Sequence, residues 1–104
     1  MTGIEMIAAE RERQQSIEGW TPEHDEQHRD EALAWAAACY AARGRIFREG
    51  TDHRGYPIVY DAWPDSWSLV WDKRKKHTRL KQLAIAGALI AAEIDRLQRV
   101  GEKP

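Results

Sequence analysis

The chain has 104 residues, a length that suits one domain with a modest hydrophobic core. Its 16 basic and 17 acidic residues give a formal net charge of −1, which argues against general nucleic-acid binding but leaves room for a local basic patch. The single cysteine excludes an intramolecular disulfide and a cysteine-based zinc site. We therefore predict one domain that spans residues 1–104.

The sequence also predicts where the protein works. Residues 1–6 lack the basic start and the apolar run of a signal peptide. The longest apolar stretch, Leu83–Ala92, is too short to cross a bilayer. We therefore expect a cytoplasmic protein with no membrane partner.

The first predicted element is an amphipathic helix in the segment IEMIAAERERQQSIE. One face of it carries Ile4, Ile7, Ala8 and Arg11. Gly19 is placed to end this helix, and Trp20 is placed to fold back as a hydrophobic contact after the helix end.

The next stretch, EGWTPEHDEQH, combines a helix-start signal with a candidate metal site. Thr21 is the predicted N-cap and Pro22 the first helical residue. On such a helix His24 and His28 are four residues apart and face the same way, as two metal-binding imidazoles would. No third ligand is fixed by the spacing. A solvated acidic turn is therefore the competing interpretation, and we predict no bound metal.

The segment RDEALAWAAACYAARGRIF predicts the second main helix, with Leu33 and Tyr40 on one face and Cys39 as a small buried thiol. From about residue 48 to residue 70 the helical periodicity disappears, and Gly, Pro and Asp predict a long structured loop. Within it, YPIVYDAW is compatible with a short strand or an extended edge. Such a loop in a small domain is typical of a functional or self-associating segment.

The segment from His77 to Val100 predicts the last helix. Its apolar stripe consists of Leu83, Gly87, Ile90, Ile94 and Leu97. Alanines make the middle of this helix apolar nearly all round, which is typical of a helix shared with another chain. The predicted fold class is all-α: a small bundle of three to four helices with a long structured loop at about 48–70, completed by homo-oligomerisation.

A tryptophan series followed by a basic run is the main candidate ligand site. The tryptophans are four residues apart, so they either stack on a flat ligand or form a core layer or an oligomer interface. Lysines at a helix start oppose the helix dipole, which favours an anionic partner. Aromatic rings beside concentrated positive charge suit a ligand that bears phosphate. The predicted ligand-binding residues are Tyr60, Trp63, Trp67, Trp71, Arg74, Lys75, Lys76 and Arg79.

The segments ERERQ, EGWTPEHD, WPDSW and LAIAGALIAAEIDRL together resemble a group of small proteins carried by bacteriophages and prophages. The resemblance implies an accessory protein that works in the host cytoplasm, where such proteins often act on host nucleotides or block host defence. It implies no particular reaction.

ERERQ near the start and EIDRL near the end also resemble MazG-like all-α nucleotide pyrophosphohydrolases. This likeness implies magnesium-dependent cleavage of a phosphate chain by carboxylates on facing helices, here Glu31, Glu93 and Asp95. The middle of the chain departs from the pattern, because alanine and tryptophan stand where further metal-binding acids are expected.

Three functions remain open at this point. The first is a non-enzymatic protein, without catalytic residues or cofactor, that sequesters a nucleotide-type ligand such as a host immune signal. The second is a divergent pyrophosphohydrolase that uses Mg²⁺. The third is an inhibitor that covers a host enzyme with its tryptophan block. The basic run and the missing acids favour the first.

Overall fold

A computed structural model describes residues 1–22, 31–67, 72 and 74–103. These residues form three α-helices, α1 (Gly3–Ser16), α2 (Ala32–Ala41) and α3 (Arg79–Arg99), and two strands, β1 (Phe47–Thr51) and β2 (Pro57–Asp61). A short 3-10 turn, Arg74–Lys76, precedes α3. The predicted all-α fold class is therefore wrong. The fold is a mixture of helices and a two-stranded antiparallel sheet.

The β-hairpin occupies the first part of the predicted loop. The strands pair antiparallel, with Phe47 opposite Asp61. The turn is built on Asp52, whose Oδ1 accepts hydrogen bonds from the backbone amides of Arg54 (2.8 Å) and Tyr56 (3.0 Å). A short polar side chain that binds nearby amides in this way favours a turn. The pairing of these two strands was not predicted, because the sequence of β1, FREGT, is poor in strand-forming residues.

The hairpin is held to α2 by an arginine between aromatic rings. The guanidinium of Arg48 lies 4.2 Å from the ring centroid of Trp35 and 5.5 Å from that of Tyr60. Gly50 allows this arrangement, because a Cβ atom there would lie 2.9 Å from a ring carbon of Tyr60. An isolated two-stranded hairpin is marginally stable in water, so these contacts explain why it persists.

Helix α1 begins and ends at side chains suited to those positions. Thr2 and Glu5 form a reciprocal capping box, with hydrogen bonds of 3.1 and 2.8 Å. After the helix, Gly19 has a φ of +73°, and the amide of Trp20 donates to the carbonyl of Gln14 at 2.9 Å. The helix ends at Ser16, three residues before the predicted stop at Gly19, and the predicted back-folding of Trp20 is confirmed by its packing against the core.

The core lies between α2 and α3. Leu33 and Leu89 are fully buried, and alanines on both helices leave room for close approach. Cys39 is buried, as predicted, and burial raises the pKa of its thiol. The helix predicted in RDEALAWAAACYAARGRIF is confirmed over Ala32–Ala41, whereas Phe47 at the end of that segment belongs to β1.

Helix α1 packs against α3, and two ion pairs join the helices. Lys81 Nζ lies 2.5 Å from Glu10 Oε2, and Arg11 Nη2 lies 3.5 Å from Asp95 Oδ2. Neighbouring residues of α1 thus reach toward opposite ends of α3, and both Glu10 and Arg11 are buried.

Helix α3 matches the predicted element, but its buried face differs from the predicted stripe. The buried side consists of Ala84, Ile85, Ala86, Ala88, Leu89, Ala92 and Glu93. In the single chain Leu83, Ile90 and Ile94 are 42%, 50% and 51% exposed. These three side chains therefore form an outer apolar face, whereas Gly87 of the predicted stripe is covered by Ile7 of α1.

Candidate functional site

A basic groove lies where the end of α2 meets the start of α3. Its volume is about 850 Å³. Six basic side chains and one carboxylate line it, together with neutral residues. The full lining is Ala42, Arg43, Gly44, Arg45, Asp72, Arg74, Lys75, Lys76, Arg79 and Gln82. Four of the predicted ligand-binding residues, Arg74 to Lys76 and Arg79, are therefore brought together, and Arg43 and Arg45, which were not predicted, lie beside them.

Arg79 has a structural contact within this groove. Its Nη2 atom donates to the carbonyl of Ala41 at 2.6 Å, and so ties the first residue of α3 to the last residue of α2. A carbonyl at a helix end lacks a partner inside the helix, and this guanidinium supplies one. Arg79 thus fixes the distance between the two walls of the groove.

Arg74 is held by an acid and lies over an aromatic ring. Its Nε and Nη2 atoms donate to Oδ1 and Oδ2 of Asp72 at 2.8 and 2.5 Å. The Arg74 guanidinium holds the pKa of Asp72 below its usual value. The same guanidinium lies 5.4 Å from the ring centroid of Trp63. Gln82 donates to the Arg74 carbonyl at 2.8 Å, so the 3-10 turn is anchored to α3.

The remaining cations differ in their partners. Arg45 donates to Asp61 through Nε (3.0 Å) and Nη2 (2.9 Å). Arg43, Lys75 and Lys76 are exposed, and none of them pairs with a carboxylate of the part of the chain that the structure describes. The groove therefore combines two oriented guanidinium groups with three cations that are open to a ligand.

Two of the three predicted tryptophans, Trp63 and Trp67, lie in the core and are not among the lining residues of this groove. Trp63 and Trp67 are 6% and 5% exposed, and their ring centroids are 5.6 Å apart in an edge-to-face arrangement. Tyr60 is half-buried on the hairpin beneath Arg48. Trp71 lies outside the described residues. Trp63 and Trp67 therefore do not form a stacking surface in the groove, although the ring of Trp63 lies against Arg74.

A second cavity, of about 590 Å³, lies between α1 and α3. It is referred to below as the aromatic cavity. Its lining is Glu10, Arg13, Gln14, Glu18, Trp20, Tyr40, Trp67, His77, Lys81, Ile85 and Leu89. This cavity was not predicted, because its polar residues on α1 are spaced like those of a helix face that is exposed to solvent. Glu10 and Gln14 are four residues apart and so lie on one face of α1, the face that packs inward. This spacing was the one signal in the sequence that could have indicated the cavity.

Glu10 organises the charges of the aromatic cavity. Its carboxylate accepts from Arg13 Nη2 at 2.7 Å and Nε at 3.0 Å, and from Lys81 Nζ at 2.5 Å. Burial raises the pKa of Glu10, but the hydrogen bonds from Arg13 and Lys81 outweigh it and leave the pKa below its usual value. Arg13 also donates to Glu18 at 2.7 Å.

The predicted carboxylate set does not assemble into a metal site. Glu93 pairs with Arg96 at 2.6 Å, Asp95 pairs with Arg11, and Glu31 is exposed at the start of α2. Among the described residues, no group of three or more His, Cys, Asp or Glu side chains is arranged to hold a metal ion. His24 and His28 lie outside those residues.

Comparison of the chain with models of known protein families, with curated proteins and with solved structures found no match. In the described part of the chain, every helix is too short or too polar to span a bilayer.

Proposed function

We propose that the protein binds a phosphate-bearing ligand of nucleotide type in the basic groove and holds it without changing it chemically. The observation that carries the proposal is the set of open cations. Arg43, Lys75 and Lys76 line the groove without a carboxylate partner among the residues described. Phosphate oxygens are the acceptors that such clustered cations bind most strongly.

Two of the arginines are already oriented for this role. Arg45 and Arg74 each use Nε and Nη2 on one carboxylate, Asp61 and Asp72 respectively. A guanidinium has five N–H donors, so the Nη1 edge of each stays available to a ligand. Side chains that are held in place lose less conformational entropy when a ligand binds.

The resemblance of the sequence to phage and prophage proteins is the support for a role in a host cell. In that setting the protein would sequester a nucleotide-type signal of host defence in the cytoplasm. Sequestration requires binding alone.

Calorimetric titration tests the proposal with ATP, a cyclic dinucleotide and inorganic pyrophosphate, each with and without Mg²⁺. We expect submillimolar binding of at least one of them, with the ligand recovered unchanged by chromatography. Binding no tighter than millimolar for every probe would overturn the proposal. Turnover in the presence of Mg²⁺ would instead support the pyrophosphohydrolase alternative.

We also propose that the protein forms a homo-oligomer through the outer face of α3. The observation that supports it is the exposure of Leu83, Ile90 and Ile94 along one side of the helix. Light scattering coupled to size-exclusion chromatography tests it. We expect an oligomer that Ile90→Asp converts to a monomer and that Gln98→Asp, on an exposed position of the same helix, leaves assembled. A wild-type protein that is monomeric at all concentrations contradicts the proposal.

A further inference from the structure

Phe47, the first residue of β1, carries an exposed aromatic ring beside the basic groove. The residue is 53% exposed. Its ring centroid lies 5.1 Å from Cζ of Arg45, and Arg45 is one of the residues that line the groove. The ring therefore adjoins the cations of the groove while much of its surface is open to a ligand.

The register of the hairpin fixes the ring next to Arg45. Phe47 lies opposite Asp61, and residues directly opposite each other in an antiparallel pair point to the same face. Arg45 binds the Asp61 carboxylate through Nε (3.0 Å) and Nη2 (2.9 Å), which brings its guanidinium over the ring. The amide of Ala62 donates to the carbonyl of Ile46 at 3.1 Å and extends the pairing toward the connection between α2 and β1. The backbone thus sets the distance between the ring and this wall of the groove.

Arg45 can bind a phosphate while it contacts the ring. A guanidinium donates hydrogen bonds in its own plane and stacks on aromatic rings through its faces. Asp61 takes the Nε and Nη2 donors, and Nη1 has no partner among the residues that the structure describes. A nucleotide joins its phosphates to its base through a single sugar. One such molecule can therefore place a phosphate on Nη1 and its base on the neighbouring ring.

The surroundings of Phe47 favour a base over an aliphatic chain or an apolar protein surface. Glu49 and Val59 form the next pair on the same face of the hairpin, and both are exposed. An apolar partner that covered Phe47 and Val59 would also have to desolvate the carboxylates of Glu49 and Asp61, which is costly. A base stacks through its flat face and keeps its polar edges in water.

We infer that Phe47 stacks on the base of the ligand, so that the groove takes a nucleoside phosphate in preference to an inorganic polyphosphate. The inference rests on the proposed binding of phosphate in the groove, and it adds the part of the site that recognises the nucleoside. It gives the aromatic role to an exposed ring of the hairpin, since Trp63 and Trp67 are buried.

Calorimetric titration of the full chain with ATP and with inorganic triphosphate, at fixed ionic strength and without Mg²⁺, tests the inference. The inorganic anion carries at least as much charge, so tighter binding of ATP comes from its nucleoside. We expect ATP to bind about fivefold or more tightly than triphosphate. Phe47→Leu keeps an apolar side chain but has no aromatic face. It should remove most of this difference and leave the affinity for triphosphate within about twofold of the wild type.

Tyr56→Leu is the matched control. Tyr56 is 63% exposed, and Arg54 lies 5.3 Å from its ring centroid, so it reproduces the setting of Phe47. It precedes β2 and is five residues from Asp61, on the order of 16 Å along the strand. The control should therefore bind ATP and triphosphate as the wild type does.

A measurement on the wild type keeps the test decisive if Phe47→Leu does not fold. The chain has one phenylalanine, so protein labelled with carbon-13 on its phenylalanine ring gives NMR signals from Phe47 alone. Saturating ATP should shift these signals strongly, because a stacked base adds its ring current, whereas triphosphate should shift them little. Ring signals that respond equally to the two anions would overturn the inference.

The outcomes separate this inference from the groove proposal. Equal affinity for ATP and triphosphate, or equal effects of Phe47→Leu and Tyr56→Leu, would overturn the role of Phe47 and leave phosphate binding in the groove standing. Failure of both anions to bind below millimolar concentration would overturn the groove proposal and this inference with it.

Discussion

Ile7 of α1 lies directly on Gly87 of α3. A Cβ atom built at Gly87 would lie 2.5 Å from Cδ1 and 2.6 Å from Cγ1 of Ile7. These distances are far below van der Waals contact, so any side chain at position 87 would force Ile7 or the helices to shift. The absence of a side chain at Gly87 thus admits α1 of the same chain.

Gly87→Ala should therefore destabilise the protein despite the better helix propensity of alanine. The propensity gain is about 1 kcal/mol, whereas overpacking a closed contact costs about 1–3 kcal/mol. We expect a net loss in the free energy of unfolding, measured by urea denaturation. Ile7→Ala/Gly87→Ala should lose less than the sum of the two single variants. Strict additivity would contradict the contact.

Glu10→Gln should destabilise the protein in a pH-dependent manner. The buried carboxylate accepts charged hydrogen bonds from Arg13 and Lys81, and the loss of its charge should cost about 2 kcal/mol at pH 7. The pKa of Glu10 is lowered in the folded state, so its contribution is fully present above its usual value of 4.5. The contribution is lost as the pH falls through the folded pKa.

Thermal denaturation of the wild type and of Glu10→Gln between pH 7 and pH 3 measures this effect. The difference in melting temperature should be constant above about pH 5 and should shrink at lower pH. A difference that stays constant down to pH 3 would show that the charge of Glu10 makes no contribution.

Arg79→Met should show that Arg79 stabilises the fold as well as lining the groove. Loss of the hydrogen bond to the Ala41 carbonyl should cost about 1 kcal/mol of stability. Lys75→Met, at an exposed side chain, should leave the free energy of unfolding within about 0.5 kcal/mol of the wild type. Chemical denaturation of the two variants side by side provides the measurement, and equal stabilities would count against the structural role of Arg79.

Cys39 should resist alkylation in the folded protein. The thiol is buried between α2 and the rest of the core, and burial raises its pKa, so little thiolate forms at neutral pH. Mass spectrometry after treatment with iodoacetamide should show modification only in denaturant. Rapid modification of the native protein would mean that this part of the core opens readily.

Helices were predictable from this sequence because their apolar residues recur at helical spacing. The periodicity around Leu33 and Tyr40 and the alanine-rich run before Glu93 both correspond to real helices. Only the second strand of the hairpin could be predicted from the sequence. Ile58, Val59 and Tyr60 indicated an extended segment. Arg48 and Glu49 did not indicate a strand, because β1 is stabilised by contacts that form only in the folded chain.

Part of the positive charge of the basic groove could be predicted from the sequence, whereas the shape of the groove could not. The run Arg74 to Lys76 indicated an anion site, and the structure adds Arg43 and Arg45 from a distant part of the chain. Spacing alone cannot distinguish a tryptophan that stacks on a ligand from one that fills a core. Trp63 and Trp67 are core residues, and their burial depends on α2 and on Trp20.

The affinity of the groove for pyrophosphate tests the central proposal most directly. The double variant Lys75→Ala/Lys76→Ala removes two open cations from the groove, and Arg54→Ala/Lys103→Ala removes the same charge from exposed positions outside its lining. Measured by calorimetry at fixed ionic strength, the groove variant should bind about tenfold or more weakly than the wild type, and the control within about twofold of it. Equal loss in both variants, or no binding by the wild type, would contradict the proposed groove.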